Sequence, residues 1–165
     1  MDIRELLLPE FKFEMKKIRA TLERVPETKL EYRPHEKSMA IGKLAAHLAR
    51  IPNFIVPIIE LPEFDAATSG LKPLVMESTA QLLQAFDEYA DNGRKALATA
   101  DDTTLLEPWK LLSKGTIVLQ GTRYQMIRSF VLNHVIHHRG QLGVYLRLND
   151  VPVPSVYGPS ADESS

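Results

Sequence analysis

Four stretches of this sequence repeat apolar residues at steps of three and four, so each must hide one stripe from water. In residues 6–25, Phe11, Met15, Ile18, Leu22 and Val25 fall on one helical face, and Pro26 ends the pattern. In residues 40–59 the stripe is Leu44, Ile51, Phe54 and Ile58, widened by Leu48 and Ile55. Pro52 and Pro57 each remove a backbone donor there, which predicts a kink near Pro52 and a ragged end near Pro57. Residues 79–100 carry the seam Leu82, Phe86, Tyr89, Gly93 and Leu97, and Ser78 with Gln81 has capping-box spacing. Residues 123–148 carry Ile127, Val131, Leu142 and Tyr145, and Thr122 with Gln125 repeats that spacing. No helix of this kind buries its stripe alone, so the expected class is all-α, a four-helix bundle. The long connections after the second and third helices allow a topology other than simple up-down-up-down.

The connecting segments say less. Residues 61–75, with Pro62, Gly70 and Pro73, read as a loop. Residues 104–120 are ambiguous: 109–112 and 116–119 would make a short hairpin about Lys114 and Gly115. From about residue 150 the chain reads as an extended arm over the surface, fraying at its end.

Composition narrows the function. With no cysteine the chain has no disulfide, no thiolate ligand and no thiol nucleophile of its own. Twenty basic against 21 acidic residues leave a net charge of −1, without the basic surplus of a nucleic-acid binder. No apolar run approaches the ~18 residues that span a bilayer, and the start lacks a signal-peptide core. The expectation is one domain over residues 1–165, cytoplasmic, acting on a small molecule rather than on a membrane or a nucleic acid.

Three of the five histidines crowd into one segment. His134 and His138 are one helical turn apart and share a face. Stepping back through Val131 and Ile127, and forward through Leu142 and Tyr145, places both on the buried stripe. His47 lies three after Leu44 and four before Ile51, again on a buried stripe. Each of these imidazoles alone reads as an ordinary hydrogen-bonded core histidine. Together, pointing inward from two helices, they read as a divalent metal site with a coordination position left open. A zinc-protease helix would need Glu directly after the first His, and Val135 stands there.

Other residues divide between roles. His137 is rotated away, in line with Asn133 and Gln141, and reads as a surface, interface or supporting group. Arg139 and Gln141 would orient ligands or substrate, or else be solvated or cap the helix. Gly140 suggests a close neighbour, or a tolerated glycine. His35 reads as a turn residue, and Trp109 as core or pocket wall.

The segment from Arg33-Pro34-His35 through Ile41-Gly42 to His47 and the segment His134-Val-Ile-His-His138-Arg139-Gly140-Gln141-Leu142 resemble the DinB-like (YfiT-like) family of metalloenzymes. So does the ending with Tyr145, Val153-Pro154 and Tyr157-Gly158. The resemblance covers nearly the whole chain. It implies a four-helix bundle of up-down-down-up topology, a homodimer, and a three-histidine site for nickel, zinc, iron or manganese. By motif position the ligands are His47, His134 and His138, and characterised relatives use a low-molecular-weight thiol as cosubstrate. One departure is Ala40, where the family often has a Ser that caps the second helix; here Ser38, two residues earlier, is the available cap.

These readings converge on a metal-dependent enzyme. A thiol-dependent S-transferase acting on small electrophiles comes first, by analogy with the family. A metal-dependent hydrolase and a non-catalytic metal- or ligand-binding bundle are the alternatives. The reacting group would be water or a thiolate at the metal, with His137, Arg139 and Gln141 as supporting candidates.

Overall fold

The computed structural model describes residues 2–70 and 72–164. The first stretch is helix α1, Ile3–Leu22, begun earlier than its apolar pattern because Glu5 reaches back to the Asp2 N–H. The second stretch forms α2, Ile41–Arg50, a 3-10 turn, Ile51–Phe54, and α3, Ile55–Glu60. It breaks at Pro52 as expected, while Pro57, in the first turn of α3 where no N–H is needed, does not end the helix, which runs on to Glu60. No side chain caps α2, so Ser38 does not take that role; Ile41 and Gly42 instead donate their N–H groups to the carbonyls of Tyr32 and Leu30, at 2.8 and 3.0 Å. Helix α4 is Thr79–Thr99 and the short α5 is Asp102–Leu106. Only half of the first capping box forms: Ser78 accepts from the Gln81 N–H, while the Gln81 side chain accepts from the Glu77 N–H. The box of Thr122 and Gln125 is complete and opens the fourth stretch. That stretch is α6, Arg123–Met126, a π-helical segment, Ile127–Leu132, and α7, Asn133–Leu148.

The molecule is mainly helical, as expected for this class. Helices α1 and α2 each pack against both α4 and α7. Successive long helices are therefore not always neighbours, which the long connections permit. The buried face of every stripe meets the others in one core, from Leu7, Phe11 and Ile18 to Leu48, Phe86, Val131 and Leu142.

The segment read as a loop contributes a strand. β1, Glu63–Asp65, runs parallel to β2, Pro108–Ser113, and β2 pairs antiparallel with β3, Thr116–Thr122. The hairpin turns through Lys114 and Gly115 at φ 51° and 77°, a left-handed pair suited to a two-residue hairpin turn. The Asp65 carboxylate accepts from the N–H groups of Lys114 and Gly115, at 3.1 and 2.7 Å, so the first strand locks the turn of the other two. Trp109 is 1% exposed and its indole N–H donates to the Pro57 carbonyl, at 3.1 Å. It is a core residue that ties the sheet to α3.

Two glycines behave oppositely. A Cβ at Gly93 would lie 2.5 Å from the backbone oxygen of Pro52, so α4 touches the 3-10 turn only because Gly93 has no side chain. A Cβ at Gly140 meets nothing within 4 Å, so the suggested close neighbour is absent. Gly93→Ala should destabilise by about 1–3 kcal/mol through overpacking, partly offset by ~1 kcal/mol of helix propensity. Gly140→Ala should gain up to ~1 kcal/mol. Urea unfolding of the two variants beside the parent would reveal opposite signs.

The arm beyond α7 lies against the helices as far as Glu163. The Lys17 ammonium donates to the Ser155 carbonyl, at 3.2 Å, Arg24 pairs with Glu163, and Arg147 pairs with Asp162. None of the described helices is long and apolar enough to cross a membrane.

Candidate metal centre

Helix α2 presents His47 and helix α7 presents His134 and His138, and the three imidazoles converge. The Nε2 atoms of His47 and His134 are 3.3 Å apart, and those of His134 and His138 are 2.9 Å apart. The expected inward faces are therefore the observed ones.

The outer nitrogens decide what the inner ones can do. The His134 Nδ1 lies 3.2 Å from the Phe130 carbonyl oxygen, which can only accept, so Nδ1 carries the proton. The His138 Nδ1 donates likewise to Gln141 Oε1, at 2.7 Å. In the neutral rings both Nε2 atoms are then bare lone pairs facing each other at 2.9 Å with no proton between them. Such a contact is repulsive unless a cation sits between the rings. Nitrogens about 2.0–2.1 Å from one ion lie roughly 2.8–3.4 Å apart at octahedral or tetrahedral angles, which covers both spacings. The residues present thus fit a divalent metal, and His47, His134 and His138 would hold it. Gln141 and the Phe130 carbonyl set the tautomers, the support that ligating imidazoles commonly have.

The six π-helical residues just before His134 belong to this arrangement. Wider turns of that kind are frequent at functional sites, and this one carries Phe130. The Phe130 ring lies 5.8 Å from the His134 ring and 5.1 Å from the Phe54 ring. A side-chain periodicity of three and four does not distinguish such a segment from α-helix, and the sequence reading missed it.

The other candidates separate. His137 is exposed, with its ring 5.0 Å from that of His138, and stands outside the triad. With Leu119, Ser129, Phe130, Asn133 and His134 it lines a cavity of about 380 Å³ beside the triad. No carboxylate lines that cavity among the described residues. His35 is exposed and accepts the Lys37 N–H in a turn, as expected.

Arg139 is neither solvated nor a cap. It is 4% exposed and paired with Glu14, itself 4% exposed, on α1. The Tyr157 hydroxyl closes the group: it accepts from Arg139, at 2.7 Å, and donates to Glu14, at 2.8 Å. The spacing of Arg139 from Val135, Leu142 and Leu146 puts it on a buried stripe, a signal the charge masks, and its partner Glu14 is 125 residues away.

Burial holds all three triad imidazoles below the usual histidine range. For His47, burial, then the charges of His138 and His134, and then Arg50 and Lys43 push the pKa down to about 4. For His134, burial and the charge of His138 act against the Phe130 hydrogen bond. For His138, burial outweighs the Gln141 hydrogen bond. The metal-free protein therefore binds fewer protons than its unfolded chain once pH drops below 6.5, the ordinary value. Its stability should be full above that pH and fall as pH drops through the window from 6.5 to about 4. Melting curves of chelator-treated protein would check this, and His47→Gln should flatten the dependence.

Comparison with known proteins adds the family. The profile of the DinB family matches residues 2–165. The chain is similar to a DinB-like protein of Bacillus cereus ATCC 10987 at 19% identity and a TM-score of 0.72, over 94% of this chain and 98% of that one. A DinB-like protein of Bacillus subtilis follows at 17% and 0.68, over 92% and 96%. A protein described as a DinB-family member, from Exiguobacterium sibiricum 255-15, shows 18% and 0.65, over 94% and 97%. At such identities the likeness concerns the fold. No curated protein matches the chain.

Proposed function

Because the chain belongs to the DinB family and turns three imidazoles toward one point, we propose that it is a metal-dependent enzyme joining a low-molecular-weight thiol to small electrophiles. The observation that carries the metal is the convergence of the three imidazoles, with the Nε2 atoms of His134 and His138 2.9 Å apart. A divalent ion there would supply Lewis acidity that lowers the pKa of a thiol or of water. The chain has no cysteine, so a sulfur nucleophile comes from outside. The family resemblance supports a homodimer, to be read by light scattering at micromolar concentration.

The residues around the triad have definable parts in this reading. Leu119 and Phe130 give the neighbouring cavity an apolar wall against which the body of an electrophile would rest. Asn133 and His137 offer the hydrogen-bonding groups on its polar side. The thiol sulfur attacks the electrophilic carbon. With a chloro-nitroaromatic the C–S bond forms, the C–Cl bond breaks, chloride leaves and the thiol proton passes to solvent. Hydrolysis is the second reading, favoured by His137, an imidazole in the cavity free of the triad and able to act as a base on water.

Elemental analysis should find a divalent metal near one per chain. Titrating thiols into the cobalt-loaded protein should perturb its ligand-field spectrum, and conjugation of a chloro-nitroaromatic should stop when the metal is removed. If no thiol changes the spectrum and no conjugate forms, the transferase reading fails and hydrolysis moves ahead of it.

A further inference from the structure

A second cavity, about 270 Å³, opens on the other side of the Phe54–Phe130 pair. Phe54, Val56, Pro57, Leu61, Phe64 and Tyr89 give it a largely apolar lining. Phe54 and Phe64 meet edge to face, 6.0 Å between centroids at 79°, forming a corner suited to a flat ring. Arg50 and Lys72 bring positive charge, Glu60 negative charge, and Asn53 is neutral. Arg50 is half-buried, with its guanidinium 5.7 Å from the Phe54 ring centre. One of its five N–H donors goes to the Lys72 carbonyl, at 3.2 Å; no ion pair joins it to Glu60 or any other carboxylate among the described residues.

The end of α2 explains why a cation is tolerated there, since a helix C-terminus favours one. It leaves the remaining guanidinium donors open to solvent beside an aromatic corner. We propose that this cavity is a binding site for a small amphipathic monoanion, a carboxylate carried on a flat apolar body. The apolar body fills the corner of Phe54, Phe64 and Tyr89, and the carboxylate takes the open donors of Arg50, a geometry that guanidinium matches in pairs. A neutral apolar ligand would cover Arg50 without satisfying it, and a cation would meet like charge from Arg50 and Lys72. The site needs no metal. Arg50 nevertheless follows His47 by less than one turn of α2, and the Phe54–Phe130 partition is shared with the cavity at His134, so an occupant would lie beside the triad.

The test uses the full chain, stripped of metal by chelator, with benzoate and benzamide as probes in ligand-observed NMR and calorimetry. Benzoate should bind roughly tenfold or more tightly than benzamide, the factor expected of a charge-assisted contact. Arg50→Gln should erase that preference while keeping the parent melting curve, Arg50→Lys should retain part of it, and Phe64→Ala should weaken both probes. His47→Ala should leave benzoate binding intact, which separates this site from the metal reading. Equal binding of the two probes, no benzoate binding at millimolar concentration, unchanged discrimination in Arg50→Gln, or binding that appears only with metal and vanishes in His47→Ala would each overturn the proposal.

Discussion

His47→Ala, His134→Ala and His138→Ala should each lose metal affinity by on the order of 10²–10³-fold, while His137→Ala keeps it. The magnitude follows from structural zinc sites, which bind by ~10–16 kcal/mol in all, so that one ligand among three or four carries a large share. The selectivity follows from the structure. The Nε2 atoms of the first three face one another, whereas His137 sits exposed on the adjacent face of α7. Gln141→Ala should fall between, at about 10–100-fold, because it releases the His138 ring without removing it. Competitive titration against a chromophoric chelator at pH 7.5 would measure all five. Equal loss in His137→Ala would mean that the wrong face of α7 had been assigned.

Arg139→Ala should be the most destabilising substitution away from the triad, by about 3–5 kcal/mol, because it strands the Glu14 carboxylate in the core. Both side chains are 5% exposed, so water cannot replace the lost partner. Tyr157→Phe should cost less, since it removes only the hydroxyl that each of them touches and leaves the ion pair in place. The double variant Glu14→Leu/Arg139→Met should recover most of the loss, since apolar replacement of a buried pair is often near neutral. Urea unfolding of Glu14→Leu, Arg139→Met and their double variant beside the parent, a double-mutant cycle, would separate the coupling from the cost of a stranded charge. A loss near zero in Arg139→Ala would place that side chain in solvent.

What could be read in advance was what repeats locally. The stripes through Phe11, Leu48, Leu82 and Val131 gave the bundle its faces, and the one-turn spacing of His134 and His138 put two ligands on one of them. The hairpin about Lys114 and Gly115 could be offered only as one possibility, since short apolar runs fit strand and helix alike. Strand β1 has three residues and exists because β2 lies alongside; one alternation over Glu63, Phe64 and Asp65 is too short to announce it. Arg139 shares the stripe of Val135, Leu142 and Leu146, yet its charge reads as solvated until its partner on α1 is known. Gly140 and Gly93 show the converse: the same residue type in two helices, of which only Gly93 meets a backbone.

The two helices that share the triad are far apart in the chain. His47 and His134 are separated by 87 positions, with the sheet and all of α4 between them. An ion held by both would tie off that whole length as one closed loop, in the way a disulfide would in a chain that has no cysteine. Release of the ion would open that loop while the apolar contacts between α2 and α7 keep the bundle together. Chelation should then lower the melting temperature of a protein that stays folded.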